Sequence, residues 1–488
     1  MNRPPLTKSR IIIILAGFLI AFLFFPAVRI SIEGYYTFRA ASSLLVSIEQ
    51  PANSKVMPSV FFDDFEKHSK NLRDEIQYFA WEPISQLIGK REEFMQIESA
   101  VSNIADISHY FDRLLGFQSS VKYLVIFQNP AEARGTGGIA GGYAVVEVKR
   151  GKLNVIEIGS NLKLKSMLKM PIKMPEEFTQ NYGDDPAIWQ NSNLSPHFPY
   201  AAQIWQALWL NQSEIHVDGV IAVDPFVLRS ILQTTGPLLL EDGTKISSSN
   251  VVSETLSTAY ERFDGMNQDR KDYLVEIASS VLKRLQEGEY TKSTLTKNLI
   301  GPITEGRLLV YSNSPQIEAV LANTMFGGSM NAQTNDFRVV IQNIAGNKLD
   351  YYLSRDVMVT SRQCGNNPVT RVNVQITNTA SKLLSLPTYV KGRLDIGMPE
   401  GKANSHKVSV FIYGPPGREL LSGDLIGDLG LQAFSGYELG RSYFATPVEL
   451  PAAGSARITA DFAGSAHGVK ITPQPLVISQ TSQIVNRC

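Results

Sequence analysis

The side chains with the best spacing for chemistry fall in one stretch. Residues 123–158 read Y-L-V-I-F-Q-N-P-A-E-A-R-G-T-G-G-I-A-G-G-Y-A-V-V-E-V-K-R-G-K-L-N-V-I-E-I. Within it, residues 128–142 combine Asn129, Glu132 and Arg134 with Gly135, Gly137, Gly138, Gly141 and Gly142. Read as a loop, this run has few side chains, so successive backbone N–H groups can approach a ligand and form a concavity that favours anions. A guanidinium at Arg134 suits phosphate or carboxylate, because its planar donors fork onto two oxygens. The same spacing also fits a plain turn between strands, with Glu132 and Arg134 as a local ion pair. Further along, Asp218 and Asp224 bracket the apolar run G-V-I-A-V, and Arg270 and Lys271 follow Asp269. Asp224-Pro225 doubles as a helix start, with Asp at the N-cap and Pro in the first turn.

The elements around these residues follow from apolar periodicity. Residues 123–127 are rich in β-formers and read as a buried strand. Residues 143–149 and 152–158 form a hairpin about the two-residue turn Arg150-Gly151. Residues 215–223 make a further strand, 226–234 a helix ended by T-G-P, and 274–285 an amphipathic helix. Strands alternating with helices give a central α/β domain over residues 119–332. From residue 333 to 488 the period changes to two, as at Val372, Val374 and Ile376. Turn signals recur there at short intervals, which indicates a β-sandwich. Residues 34–118 show helical spacing broken by Pro51, Pro58 and Pro83 and read as a helical stalk.

Residues 1–33 hold a cytoplasmic tip and an apolar run at 11–28, which as a helix spans about 27 Å, close to a bilayer's hydrocarbon thickness. Arg3, Lys8 and Arg10 precede it and place the N-terminus in the cytoplasm. The expectation is a single-pass anchor in the cytoplasmic membrane with the bulk of the chain extracytoplasmic; a cleaved signal peptide is the alternative. The whole is an α+β multidomain chain of 488 residues. Lys and Arg total 46, as do Asp and Glu, so zero net charge argues against a nucleic-acid partner bound over the whole surface. Of the two cysteines, Cys364 and Cys488, an oxidising compartment makes a disulfide, and two free thiols are the other possibility.

Walker-type, dinucleotide-binding, G-x-S-x-G and H-E-x-x-H motifs are absent, and the six histidines show no ligand spacing. The run N-x-x-E-x-R-x-T-G-G, matched by Asn129, Glu132, Arg134, Thr136, Gly137 and Gly138, resembles the signature of a bacterial family of membrane-anchored extracytoplasmic proteins of unknown function. S-P-H-F-P at 195–199, V-D-G-V-I-A-V-D-P at 217–225, T-G-P at 235–237 and P-Q-P-L at 473–476 extend the resemblance. An acid is expected where this chain has His197. The order of segments from 217 to 274 is similar, more distantly, to LytR-CpsA-Psr phosphotransferases, which move glycans from a polyprenyl pyrophosphate carrier onto the cell wall with arginines, aspartates and a divalent ion such as Mg2+. That resemblance implies Arg134 and Arg270 as pyrophosphate ligands, with Asn129, Glu132, Thr136, Gly137 and Gly138 around them. It implies Asp218 or Asp224 at the reacting centre. The partners it implies are the membrane and lipid-linked glycans or cell-wall polymer. A non-catalytic envelope protein that uses its sandwich as a contact surface is the competing expectation.

Overall fold

The computed structural model describes residues 36, 59–80, 105–330, 334–383, 385–396, 404–426 and 432–486. They fall into two compact units, Met1–Val121 with Lys149–Lys152, and Lys122–Val148 with Leu153–Cys488. The expected membrane run at 11–28 lies outside the described residues. Among those described, no helix is long and apolar enough to cross a membrane. In the first unit, helix α1 (Ser59–Ala80) buries Phe65 and Ile76, and Phe65 stacks on Phe111. Most of the expected stalk between residues 34 and 118 is outside the described residues.

The second unit is built on three sheets. The first uses β1 (Val121–Arg134), β2 (Gly137–Lys149), β3 (Lys152–Ser160), β4 (Gly219–Val223) and β7 (Leu308–Ser312), in the order β3-β2-β1-β4-β7. A short ribbon, β5 (Leu238–Leu239) with β6 (Lys245–Ile246), lies between β4 and β7 in the chain. β1 and β4 pair in parallel, Phe127 opposite Val223, and β7 runs antiparallel to β4. Helix α2 (Phe198–Gln212) packs Trp205, Leu208 and Trp209 into the core beneath this sheet. A second core gathers α3 (Pro225–Thr235), the helical segment 251–262, and α4 (Asn267–Glu287), with α5 (Lys292–Thr304) against it. With helices in both cores, β1 is buried along nearly its whole length, and its first half is accordingly a continuous apolar run at residues 123–127 rather than an alternating one.

The remaining strands are β8 (Asp336–Asn343), β9 (Leu353–Gln363), β10 (Val369–Asn378), β11 (His406–Tyr413), β12 (Leu420–Ile426), β13 (Phe434–Glu438), β14 (Arg441–Leu450), β15 (Ser455–Ala463), β16 (Lys470–Pro473) and β17 (Thr481–Val485). They form two sheets, β12-β15-β10-β9-β17 and β13-β14-β11-β8-β16, that share one core of alternating inward residues such as Val372, Val374 and Ile376 against Val408, Val410 and Ile412. This is the sandwich the period of two predicts.

One expectation is overturned. Residues 128–142 are not a loop; β1 and β2 continue through them, joined only at Gly135-Thr136. The glycines serve close backbone approach. A Cβ on Gly138 would lie 2.2 Å from the Asn129 carbonyl carbon, and one on Gly135 would lie 2.3 Å from the Leu194 carbonyl oxygen. The Arg150-Gly151 turn is as expected, with φ of 51° and 72° at its two residues, the hairpin geometry that matches strand twist. Replacing Gly138 with Ala should cost about 1–3 kcal/mol of stability by overpacking, read as a lower urea midpoint at unchanged slope.

Candidate functional site

Arg134 is saturated. Its Nε donates to the Gln190 carbonyl at 2.8 Å, and its Nη1 donates to the carbonyls of Ala133 and Asn343 at 2.9 and 3.1 Å. Its Nη2 donates to Glu132 at 3.2 Å and to Asn191 at 3.4 Å. A guanidinium has five N–H groups, so none is left for a phosphate. The ion pair with Glu132 is the plainer of the two sequence readings, and Arg134 acts as a buried strut. Thr136, Gly137 and Gly138 form the hairpin end. The Thr136 hydroxyl donates to Gln128 at 2.7 Å, and the Asn193 amide reaches Thr136 and the Gly138 carbonyl at 2.8 and 2.9 Å.

The two aspartates part company. Asp218 is exposed at the start of β4, where its Oδ2 accepts from the Lys122 N–H at 2.8 Å. Asp224 is buried at the other end of that strand, roughly 20 Å away at strand rise. It caps α3, accepting from the N–H groups of Phe226 and Val227, and takes Arg307 at 2.6 Å. The divalent ion that the resemblance implies therefore finds no paired carboxylates here. Among the described residues no group of three potential ligands could hold a metal.

Three other expected residues, Asn129, Glu132 and Arg270, do converge, around Lys271. The first turn of α4 places Arg270 and Lys271 side by side, both buried. The Arg270 guanidinium carbon lies 4.0 Å from the ring centre of Tyr389 and 4.5 Å from that of Tyr260. One nitrogen bonds Asn267, while Nε is buried without a partner. The Asn129 amide donates to the Tyr260 hydroxyl at 2.7 Å. Glu132, besides holding Arg134, takes the Lys348 ammonium on its other oxygen. Burial opposes charge on Glu132, but Lys348 and Arg134 outweigh it and keep the carboxyl below its usual range. Lys348 is held above its usual range in the same way, burial being outweighed by Glu132.

Lys271 has no such partner. Its Nζ reaches only as far as the Gly141 carbonyl at 3.4 Å. Burial, then the charges of Lys348 and Arg270, push its pKa down to about 7 against the weaker pull of Glu132. The amine opens onto a cavity of about 80 Å³ between the sheet and the helices. Asn129, Gly141, Gly142 and Asp224 line it with Lys271, and Phe127, Ile158, Leu228, Leu256, Leu274 and Ile277 complete an apolar wall. Thr255 and Leu256 reach it from a π-helical turn, Glu254–Thr258, a form concentrated at functional sites. Lys348, Tyr260 and Tyr389 are the members the sequence does not point to; none sits in a recognisable motif.

His197 replaces the expected acid and does an acid's accepting. Burial, then Arg338, push its pKa down to about 3, so the ring is neutral and its Nδ1 accepts from the Met330 N–H at 3.0 Å.

Between the depressed Lys271 pKa and the value of an exposed lysine, the unfolded chain binds more protons than the folded one. This group's penalty is thus full below about pH 7 and fades as pH rises toward 10. Lys271→Met should raise Tm at pH 6, with the gain shrinking steadily by pH 9, as calorimetry across that range will read.

No curated protein matches the chain. A Legionella pneumophila structure provisionally described as a nutrient binding protein is 7% identical over 27% of this chain, with a TM-score of 0.16, and the match spans 43% of that protein's length. The Lin1025 protein of Listeria innocua is 11% identical over 46% of this chain and 86% of its own, with a TM-score of 0.22. Neither score defines a shared fold. Residues 118–260, which carry the β1–β2 hairpin, Asp218, Asp224 and Tyr260, match the model of a family described as protein of unknown function, DUF4012.

Proposed function

We propose that this chain is a membrane-anchored extracytoplasmic protein that binds a phosphorylated, lipid-linked envelope glycan, the anionic group at Lys271 and apolar carbons of the carrier in the cavity beside it. One observation carries the reading: a lysine amine at an apolar cavity, in the field of two further cations and one carboxylate, with an unpartnered Arg270 Nε behind it. Such an excess of buried positive charge is unfavourable until an anion arrives. The similarity in segment order to LytR-CpsA-Psr proteins supports the same ligand class. Phosphoryl transfer needs a carboxylate free to hold a metal or activate a nucleophile. Asp218 is remote and Asp224 is occupied by Arg307 and the helix amides, so binding is the activity proposed. A contact role for the sandwich is compatible with this, and the exposed Phe434 and Tyr437 on β13 favour one.

The Cys364–Cys488 disulfide belongs to the same proposal, since Cys488 lies outside the described residues. β17 runs parallel to β9 with Val485 opposite Thr360, which lies four residues before Cys364. Peptide mapping without reductant should recover the two cysteines in one linked species; two alkylatable thiols in the oxidised protein would remove the bond from the account.

The binding test is titration of the full-length protein with a polyprenyl pyrophosphate in micelles. The expected result is saturable binding that Lys271→Met weakens about tenfold or more, the worth of one charge-assisted hydrogen bond. Asp218→Asn should bind like the wild type. Equal affinity in Lys271→Met, or no binding by the wild type, defeats the reading.

A further inference from the structure

A second concavity adjoins the Glu132 ion pairs through Arg134. It encloses about 520 Å³, within the usual range of small-molecule sites, and Arg134 forms part of its floor. One wall is aromatic. Phe434 on β13, the outer strand of its sheet, stands edge-on to Phe411 at 5.8 Å and to Tyr443 at 6.3 Å between ring centres. Phe411 and Tyr443 are buried, whereas Phe434 is 45% exposed. The rest of the lining includes polar groups, the amides of Asn181, Asn191 and Gln342 and the exposed carboxylate of Asp185. The Tyr443 hydroxyl donates to Asn181 at 3.0 Å, which fixes that amide against the aromatic wall.

The lining selects a ligand class. Arg134 has given all its donors to protein acceptors, and Asp395 is held by Arg393 through two bonds of 2.8 Å. Among the described residues that line the concavity, no free cation is thus offered to an anion. Asn181 already bonds Tyr443 and Tyr437, Asn191 accepts from Arg134 and Gln342 donates to the Leu194 carbonyl, but a purely apolar occupant would still cover their remaining polar groups and the Asp185 carboxylate without pairing them. A pyranose ring presents both required surfaces, a C–H face for an aromatic ring and hydroxyls that donate and accept at amides and carboxylates. We propose that this cleft binds a neutral saccharide, one ring face against Phe434 and its hydroxyls on Asn181, Asn191 and Asp185.

The test is calorimetric titration of the full-length protein, in a zwitterionic rather than sugar-based detergent, with short neutral oligosaccharides of glucose, mannose, galactose and N-acetylhexosamines. At least one should bind, and Phe434→Ala should weaken it roughly tenfold with only a small drop in Tm, because nearly half of that ring is already in water. Lys271→Met, which addresses the anion site, should leave saccharide affinity as in the wild type. Absence of binding across the panel, or wild-type affinity in Phe434→Ala, overturns the assignment.

Discussion

Glu132 holds two cations, Arg134 on one carboxylate oxygen and Lys348 on the other, and all three side chains are buried. Removing one member of such a set typically costs about 3–5 kcal/mol, because a charge is left in the interior without its partner. Here the set also joins parts of the fold. Glu132 and Arg134 come from the β1 end of the hairpin, while Lys348 follows β8 of the sandwich, so the ion pairs fasten the first sheet to the second structure that covers it. Asp350 reinforces the joint, accepting from the Ala133 N–H at 2.8 Å and from His406 at 2.9 Å.

The joint also accounts for the chemistry beside it. Because Glu132 is committed to Arg134 and Lys348, it only partly offsets the field at Lys271, and Arg270 adds to that field. Burial first, and this field second, lower the pKa of a lysine that would be charged in water to about 7 at the edge of an apolar cavity. The charge imbalance arises from buried structure rather than from a dedicated catalytic motif, and the anion of the proposed function would offset it.

Much of the architecture was legible in the sequence. The period-two strands of the sandwich, the Arg150-Gly151 turn and the Asp224-Pro225 helix start all rest on local rules, and each has a local cause in the structure. The glycine run was misread for a physical reason. Glycine is required both where a loop exposes its backbone and where two backbones pack against each other, and composition does not separate the two; the Leu194 carbonyl against Gly135 is visible only once residues 191–195 are in place. Arg134 looked like a ligand for the same reason, since three of its five acceptors, on Gln190, Asn191 and Asn343, come from distant segments. Lys348 meets Glu132 across a separation of 216 residues. Tyr389, which stacks on Arg270, lies in a short helical turn with no motif. The charge excess around Lys271 is thus a property of the assembled fold, and only Asn129, Glu132, Arg270 and Lys271 carried a local signal for it.

The most direct test is the titration of the Lys271 amine itself, followed by NMR on protein labelled at the lysine side chains, with and without a short-chain prenyl pyrophosphate. The account requires a midpoint near neutral pH in the free protein and a clear upward shift on binding, as the arriving anion relieves the repulsion from Lys348 and Arg270. A midpoint in the ordinary lysine range, or one that does not move when the pyrophosphate is added, contradicts it.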